Sequence, residues 1–449
     1  MNKVKFYTAL LAANMVDSGL RLMSKSSGTA LPGLVGLNIC PEFISLSQKY
    51  AKEGIINITG TNGKTTTAGL FAAILKENGK KVLHNEKGAN MLTGIASALV
   101  SGVGFNRKND YFVLETDEAY LTKLYNHIKA DYLLVTNLFR DQLDRYGELD
   151  TTFKKINEAI LKNKDLKLVL NGDDPMVASL GDNNDTVYYG FDDIKFMFDA
   201  IDANAPSEAV NCKKCGKELE YNKRFYAHIG DYTCSCGYKR PDLKYKATGK
   251  IYLESSEIEV QTAEKTMNFK ICLPGLYNVY NALGAIALAL ELGVDEKIIQ
   301  KAFDNYHSVF GRAESIKIKG KNALVQLIKN PVGASEVLRL IVDNKKSTLL
   351  IVLNDNYADG RDVSWIWDAN FEILKEYKQK IVVSGERAYD MAVRLKYAGV
   401  NESQFEVIPD LKLALKKAVS QTEDENTLLI LPTYTALLKM QNIIKKQKN

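Results

Sequence analysis

The sequence predicts an α/β protein with two domains, of which the second is smaller. Short apolar segments alternate with helical patterns over residues 52–171, and this alternation is typical of a parallel sheet covered by helices. A glycine-containing turn joins the first apolar segment to a helix near residue 60. After residue 314 the alternation resumes and continues almost to the end of the chain.

The length of 449 residues allows two or three domains with cores of their own. We expect an N-terminal leader segment at residues 1–50, a first domain at 51–310 and a C-terminal α/β domain at 311–449. Within the first domain the alternation is interrupted, and strand patterns return at 250–260 and 266–271. The interruption predicts a small inserted module.

The net charge of +5 comes from dispersed lysines without a long basic block, and this pattern does not favour nucleic-acid binding. Residues 6–23 have helical spacing, but they contain Asn14, Asp17 and Arg21 and lack the uninterrupted apolar core of a signal peptide. We expect them to pack as a helix on their own domain. We also expect a cytoplasmic protein, and contact with the inner face of the membrane stays open.

The turn near residue 60 reads G-T-N-G-K-T-T and lies between a predicted strand and a predicted helix at 65–77. Its glycines allow backbone N–H groups to approach phosphate oxygens, and the helix points its positive end at them. Lys64 can neutralise the β- and γ-phosphates, and the Thr65 hydroxyl is placed to ligate Mg²⁺. A full P-loop pattern would have glycine at Ile58, so only its second half is present. The predicted nucleotide-binding residues are Gly60, Thr61, Asn62, Gly63, Lys64, Thr65 and Thr66.

A second set of polar residues follows the strand at 111–114, which ends in E-T-D-E. Ligands of open α/β sheets bind at the carboxyl ends of the strands, and a carboxylate there is able to hold Mg²⁺ beside the γ-phosphate. We prefer Glu115 as this ligand because it directly ends the strand, and Glu118 is the alternative. Solvated turn residues are the other interpretation of this acidic cluster.

Four of the six cysteines lie in the insert, which we place at residues 205–242, and they are Cys212, Cys215, Cys234 and Cys236. Two pairs of thiolates with this spacing are able to grip one tetrahedral ion, and a Cys₄ shell without an open position is structural. We predict structural Zn²⁺, with free or redox-active thiols as the alternative. Cys40 and Cys272 lie in apolar contexts, and we expect both to be buried.

The strand at 348–353 runs into an acidic stretch that contains Asp355, Asp359 and Asp362, followed by both tryptophans of the chain. Two interpretations are open. The loop presents carboxylates to a partner or substrate, or it is an acidic turn with the tryptophans packed beneath it.

These motifs resemble those of the Mur ligase superfamily, whose members use ATP to join an amine to a carboxylate of peptidoglycan precursors. Besides the phosphate loop, the similar segments are E-T-D-E-A-Y-L at 115–121, T-N-x-x-x-D-Q-L-D-R-Y-G at 136–147, L-P-G-x-x-N-x-x-N-A at 273–282 and F-G-R-A-E at 310–314. The resemblance implies a Mur-ligase-type P-loop ATPase domain followed by a Rossmann-like domain. It implies that Asn278 contacts adenine and that Arg312 reaches the nucleotide. Gln142 stands where many members have a metal-binding histidine, so a second metal stays open.

Within the superfamily, the segments at 354–368, 384–399 and 431–436 resemble the MurT family, as do the cysteine insert and the short leader. MurT proteins are Mur-ligase-like subunits of lipid II isoglutaminyl synthase. The resemblance implies ATP-dependent amidation of the D-glutamate α-carboxylate of lipid II at the inner membrane face, through an acyl phosphate, which gives D-isoglutamine. Ammonia would come from a GatD-type glutamine amidotransferase in a heterodimer. Lys64 and Glu115 would then act in catalysis, and Asp355 would orient the catalytic histidine of the partner.

Two other functions stay open from the sequence. A standalone Mur-type or folylpolyglutamate-type ligase would share the ATP site but use the amine of an amino acid. A nucleotide-gated scaffold with a zinc module would bind ATP without forming a bond.

Overall fold

The computed structural model of this chain describes residues 2–22, 30–86, 89–104, 107–140, 149–197, 211–252, 255–306, 312–342 and 347–448. Within them lie a nine-stranded sheet, a six-stranded sheet and a two-stranded hairpin.

The nine-stranded sheet and the helices around it precede residue 307. In chain order the elements are α1 (Asn2–Leu22), α2 (Leu31–Ile39), α3 (Phe43–Ser47), β1 (Ala51–Thr59), α4 (Lys64–Glu77), β2 (Val82–His84), α5 (Leu92–Gly102), β3 (Asn109–Glu115), α6 (Glu118–Leu124), β4 (Tyr132–Val135), α7 (Leu149–Leu161), β5 (Lys167–Asn171), α8 (Pro175–Ala178), β6 (Thr186–Phe196), β7 (Glu220–Tyr226), β8 (Ile229–Thr233), β9 (Tyr245–Ile251), β10 (Ser256–Gln261), β11 (Thr266–Ile271), α9 (Leu276–Glu291) and α10 (Glu296–Asp304). The strand order is β11-β10-β9-β6-β5-β4-β1-β3-β2, and only the pairs made by β10 are antiparallel. The predicted parallel α/β sheet is therefore confirmed.

The six-stranded sheet belongs to the second domain. Its elements are β12 (Arg312–Ile318), β13 (Lys321–Gln326), α11 (Pro331–Val342), β14 (Thr348–Val352), α12 (Trp365–Asp368), β15 (Ile381–Ser384), α13 (Ala388–Tyr397), β16 (Phe405–Val407), α14 (Leu411–Gln421), β17 (Thr427–Pro432) and α15 (Tyr434–Lys448). The order is β12-β13-β17-β14-β15-β16, with β12 alone antiparallel to its neighbour. Every residue of β14 is buried, which explains why its sequence is a continuous apolar run.

The large sheet is covered on both faces. Ile56 and Ile58 of β1 pack into the core formed with α4 and α9, whereas Ile55 packs into the core formed with α1, α5, α6 and α7. Successive strand residues point to opposite faces, so a buried parallel strand needs apolar residues at both. This requirement accounts for the uninterrupted apolar segments of the sequence.

Two sequence expectations about the strands and cysteines are wrong. Residues 250–260 are not one strand, because β9 and β10 pair as a hairpin with Lys250 opposite Glu257. Cys40 is buried as expected, but Cys272 is exposed. It follows Ile271, which points into the core at the end of β11, so alternation turns the next side chain outward.

The N-terminal helices pack on the large sheet domain. The Phe6 ring stacks on the Phe43 ring with 5.1 Å between centroids, and α2 crosses α5 at Gly33. A β-carbon on Gly33 would lie 2.0 Å from the Thr93 carbonyl oxygen, so the two helices touch through backbone atoms. None of the helices in the described part of the chain is long and apolar enough to cross a membrane.

We predict that Gly33→Ala destabilises the protein by about 1–3 kcal/mol, because the added methyl group forces α2 away from α5. Gly19→Ala is the matched control: Gly19 is a helical glycine of α1, and its added β-carbon would meet no atom within 4 Å. The control should gain up to about 1 kcal/mol from helix propensity. Urea unfolding monitored by circular dichroism measures both. Equal stabilities for the two variants would contradict this view of the α2–α5 contact.

Candidate functional site

The turn between β1 and α4 contains two glycines with positive φ, Gly60 at 125° and Gly63 at 88°. A β-carbon on Gly60 would lie 2.2 Å from Thr136 Oγ1, and one on Gly63 would lie 1.9 Å from Asn281 Oδ1. Glycine is therefore needed at both positions for conformation and for space. The turn lies at the carboxyl end of β1, where the strand order changes direction and ligands of open α/β sheets bind.

The residues after β4 hold this turn from one side. The backbone N–H groups of Thr61 and Asn62 donate to the backbone and side-chain oxygens of Asn137, each at 2.9 Å. Thr61 Oγ1 donates to the Phe139 carbonyl and accepts from the Phe139 N–H, each at 3.0 Å. The turn is thus fixed before any ligand arrives.

The first turn of α4 carries the predicted phosphate ligands. The N–H groups of Thr65 and Thr66 have no carbonyl acceptor within the helix, which is the usual basis of anion binding at a helix N-terminus. Lys64 Nζ lies 3.1 Å from both carboxylate oxygens of Glu118, and both side chains are almost completely buried. Burial raises the pKa of Glu118, and the Lys64 charge opposes that rise. Lys64 and Glu118 thus form a buried ion pair.

Glu115 is the last residue of β3 and is buried. Its backbone N–H donates to Asn85 Oδ1 at 2.8 Å, and its Oε1 accepts from Asn90 Nδ2 at 3.1 Å. Its Oε2 is buried and has no donor among the residues that the structure describes. Glu115 lies opposite Ile58 of β1, so this oxygen belongs to the same sheet edge as the phosphate loop. A buried carboxylate oxygen without a donor suits a Mg²⁺ ion.

A pocket opens beside the phosphate loop, and five parts of the chain line it, one of which is the segment after β4 with Phe139. Asn62 comes from the loop, Asn278 from α9, Tyr226 from the end of β7, and Gln326 and Glu336 from the second domain. Asn278 is buried, and its Nδ2 donates to the Pro274 carbonyl at 2.7 Å, which fixes the orientation of the amide. Of the predicted nucleotide residues, Gly63 and Thr66 also line this pocket.

Two buried acceptors of this pocket have no donor in the described part of the chain, and they are Gln326 Oε1 and Glu336 Oε1. The other carboxylate oxygen of Glu336 lies 4.0 Å from the Arg339 guanidinium. Burial raises the pKa of Glu336 to about 7. An orphaned buried acceptor is costly, so the pocket suits a ligand that supplies hydrogen-bond donors.

The second domain also contacts the phosphate loop directly. Lys329 Nζ donates to the Thr61 carbonyl at 3.2 Å, and Asn330 Nδ2 donates to Asn62 Oδ1 at 2.9 Å. Sequence analysis missed both residues. Both residues lie in the turn between strand β13 and a helix that starts with Pro331. Turns of this kind are common ligand sites, so the lysine and the asparagine were the available signal.

Some predicted residues fall outside the described part of the chain. Residues 141–148, which include Gln142, lie outside it, as do Phe310, Gly311 and the side chain of Arg312. The backbone of Arg312 pairs with that of Gln326, so the position of Arg312 is next to the pocket.

The four cysteines of the insert come together. The Sγ atoms of Cys212 and Cys236 are 3.7 Å apart and those of Cys215 and Cys234 are 3.5 Å apart; all four lie within 4.8 Å of one another. Sulfurs around a tetrahedral zinc ion are separated by about 3.8 Å, whereas a disulfide requires about 2 Å. The donor set and its spacing therefore fit Zn²⁺.

The three aspartates after β14 have different surroundings. Asp359 is buried and accepts from the backbone N–H of Thr435 at 2.7 Å, and Asp362 accepts from a backbone N–H two residues later at 2.8 Å. Asp355 is half-buried and accepts from Arg387 Nη1 at 2.9 Å. Asp359 and Asp362 thus stabilise the loop itself, and Asp355 is held at its edge by an arginine.

Three aromatic residues and one valine form an exposed patch on α12 and α13 of the second domain. We call it the α13 patch, and it consists of Trp367, Tyr389, Val393 and Tyr397, whose exposures are 50%, 68%, 47% and 74%. Its last three members recur every fourth residue on α13, and the Trp367 and Tyr397 rings are 5.7 Å apart. Arg387, the residue before α13, binds both Asp355 and Asp390, so Asp355 lies near the start of the helix that carries most of the patch. Clustered exposed aromatic residues are typical of protein–protein contact.

Family models match both domains. Residues 58–227 match the Mur ligase middle domain, and residues 327–437 match the MurT ligase C-terminal domain.

Curated relatives extend the match to nearly the whole chain. The chain is 38% identical to the MurT subunit of lipid II isoglutaminyl synthase (glutamine-hydrolyzing) from Streptococcus pneumoniae, over 94% of this chain and 93% of that protein. It is 36% identical to the subunit of the same name from Staphylococcus aureus, over 97% of this chain and 96% of that protein. Identity falls to 22% for UDP-N-acetylmuramoylalanine–D-glutamate ligase from Elusimicrobium minutum, over 100% of this chain and 84% of that protein.

Solved structures show the same architecture. A pseudomurein peptide ligase type C from Methanothermus fervidus superposes with a TM-score of 0.69 at 25% identity, over 91% of this chain and 81% of that chain. MurF ligase from Thermotoga maritima, solved in complex with ADP, shares the fold with a TM-score of 0.62 at 13% identity, over 92% of this chain and 84% of that chain. The chain therefore has the Mur ligase fold and belongs to the MurT family.

Proposed function

We propose that this chain is the ATP-dependent synthase subunit of a lipid II isoglutaminyl synthase. It would amidate the D-glutamate α-carboxylate of the lipid II stem peptide and so form D-isoglutamine. The identity of 36–38% over nearly the full length of two curated MurT subunits is the observation that supports this most strongly. The standalone ligase is less well supported, because identity to the muramoylalanine–glutamate ligase is only 22%.

The reaction needs two steps at one site. A carboxylate oxygen of the substrate attacks the γ-phosphorus of ATP, which gives an acyl phosphate and ADP. Ammonia then attacks the acyl carbon, phosphate leaves, and the nitrogen loses a proton as the amide forms. Phosphoryl transfer of this kind depends mainly on positioning and charge neutralisation.

The residues around the loop fit ATP. The N–H groups at the start of α4 face the position of the phosphates, and Lys64 would exchange Glu118 for a phosphate oxygen. The orphaned acceptors Gln326 Oε1 and Glu336 Oε1 match the donors of ATP, which are the adenine amine and the ribose hydroxyls. We keep Asn278 as the adenine contact and Arg312 as a nucleotide contact. Thr65 and Glu115 would hold Mg²⁺, which neutralises charge on the β- and γ-phosphates.

Ammonia would come from a glutamine amidotransferase of the GatD type that docks on the second domain. The α13 patch offers apolar contact area, and Arg387 holds the Asp355 carboxylate near the start of the same helix. In a Cys-His-Asp arrangement the third member fixes the tautomer and orientation of the histidine. Asp355 is suited to that role, because Asp359 and Asp362 are already used within the loop.

The cysteine cluster would hold one structural Zn²⁺ ion. A Cys₄ shell leaves no open position for a substrate or water, so its contribution is to the folding of the insert.

We predict that Lys64→Ala lowers amidation about 100-fold or more, because the γ-phosphate loses the cation that neutralises it. The assay combines this chain, the GatD-type subunit, ATP, Mg²⁺, glutamine and lipid II, and mass spectrometry follows conversion of carboxylate to carboxamide. Lys76→Ala, in the exposed last turn of the same helix, should retain full activity. Equal activity of the two variants would contradict the proposed ATP site. Addition of a free amino acid without the partner would instead identify a standalone ligase.

We predict that Asp355→Asn abolishes most glutamine-dependent amidation but leaves ammonium-dependent amidation at the wild-type rate. The substitution removes the carboxylate that orients the histidine of the partner, and it leaves the ATP site untouched. Asp362→Asn is the control in the same loop and should support both reactions. A loss of the two reactions in parallel would show that Asp355 has no role specific to glutamine hydrolysis.

We predict that the purified chain contains one zinc ion, measured by elemental analysis. The double variant Cys215→Ser/Cys236→Ser should lose the ion and unfold at a lower temperature, because the insert depends on the metal for its fold. Cys272→Ser should retain the ion, since Cys272 is exposed and is not one of the four clustered cysteines. A wild-type chain free of zinc, with the cysteines oxidised to disulfides, would contradict the assignment.

A further inference from the structure

The hairpin of β7 and β8 is buried at its tip as well as around its cysteine-bearing base. Hairpin tips normally lie at the surface. Here the exposed fractions of Tyr226, Ala227, His228 and Ile229 are 5%, 4%, 0% and 0%. Burial along β7 is confined to its last residue, at the tip, while most of the preceding residues are exposed. The tip of the hairpin therefore packs into the core of the first domain.

The tip contacts the residue that holds the phosphate loop. The His228 ring lies 4.6 Å from the Phe139 ring, and the Tyr226 ring lies 5.8 Å from it. Phe139 is bonded through its backbone N–H and carbonyl to Thr61 Oγ1 of the loop. The tip and the loop thus share Phe139 as a common contact.

Tyr226 also faces the pocket itself. It lines the same cavity as Asn62, Asn278 and Glu336, and its ring packs 5.7 Å from that of Tyr280 in α9. An aromatic ring at this place offers a flat apolar surface to the nucleoside part of ATP.

The cysteine cluster lies at the base of the hairpin, at the end opposite the tip. Cys212 and Cys215 precede β7, and Cys234 directly follows β8. The small core of the insert includes Cys212, Cys234, Leu219, Tyr232 and Tyr238, so two of the four cysteines form part of the packing that holds its base together. A module of this size depends on its metal for a fixed shape.

We propose that the insert, stabilised by its metal, forms one side of the nucleotide pocket. Tyr226 contacts the bound nucleotide, and His228 positions Phe139 against the phosphate loop. Zinc occupancy and nucleotide binding are then thermodynamically linked. Because linkage is reciprocal, the factor by which zinc strengthens nucleotide binding equals the factor by which the nucleotide strengthens zinc binding. The inference rests on the proposed use of ATP.

Calorimetric titration of the full chain with AMP-PNP and Mg²⁺ measures nucleotide affinity and so tests the Tyr226 contact. Tyr226→Ala should weaken binding about tenfold, because the ring surface is lost. Tyr226→Phe should bind like the wild type, since it keeps the ring. Asn222→Ala, on the exposed part of the same strand, is the matched control and should also bind normally. Equal affinities of Tyr226→Ala and Asn222→Ala would overturn the proposed contact.

A second measurement needs no substitution at the tip. Zinc is removed from the wild-type chain with a chromogenic chelator, in the presence and absence of saturating AMP-PNP and Mg²⁺. Zinc loss should slow severalfold when the nucleotide is bound, and the zinc-free chain should bind the nucleotide more weakly. Equal rates of zinc loss and equal affinities would overturn the linkage. If the zinc-loaded wild type fails to bind AMP-PNP at all, the proposed ATP site is wrong and this inference falls with it.

Discussion

The close contact of the phosphate loop with its neighbours is the constraint on which the rest of this structure depends. Gly60 has no room for a side chain beside Thr136, and Gly63 has none beside Asn281. The loop is therefore pressed between the end of β4 and the first turns of α9. Thr136 and Asn281, whose side chains make these contacts, are themselves buried, so the positions of the loop N–H groups follow from the packing of the sheet domain.

The two other units of the chain are attached to the same loop. The second domain reaches it through Lys329 and Asn330, and the insert reaches it through His228 and Phe139. The pocket beside the loop is complete only where these units meet, because its orphaned acceptors belong to the second domain and one of its aromatic side chains, Tyr226, belongs to the insert. This arrangement places the site between the domains, where closure is able to exclude water from a phosphoryl transfer.

The sequence was sufficient for the parts of the site that are local. Glu115 ends β3, and Lys64 begins the helix after the turn that follows β1; because strand ends meet at one sheet edge, their placement needs only the α/β pattern. The ion pair of Lys64 with Glu118 spans 54 residues, and neither charge reveals its partner by spacing. Glu336 looks like an ordinary helical glutamate until the domain packing buries it. The sequence predicts one strand at 250–260 because no glycine or proline separates β9 from β10.

A crystal structure of the full chain with AMP-PNP and Mg²⁺ tests the proposed ATP site most directly. We expect a triphosphate on the loop at residues 60–66, Lys64 moved from Glu118 to a phosphate oxygen, and the nucleoside between Tyr226, Asn278 and the second domain. A nucleotide bound elsewhere, or bound here while Lys64 keeps its pair with Glu118, would contradict it.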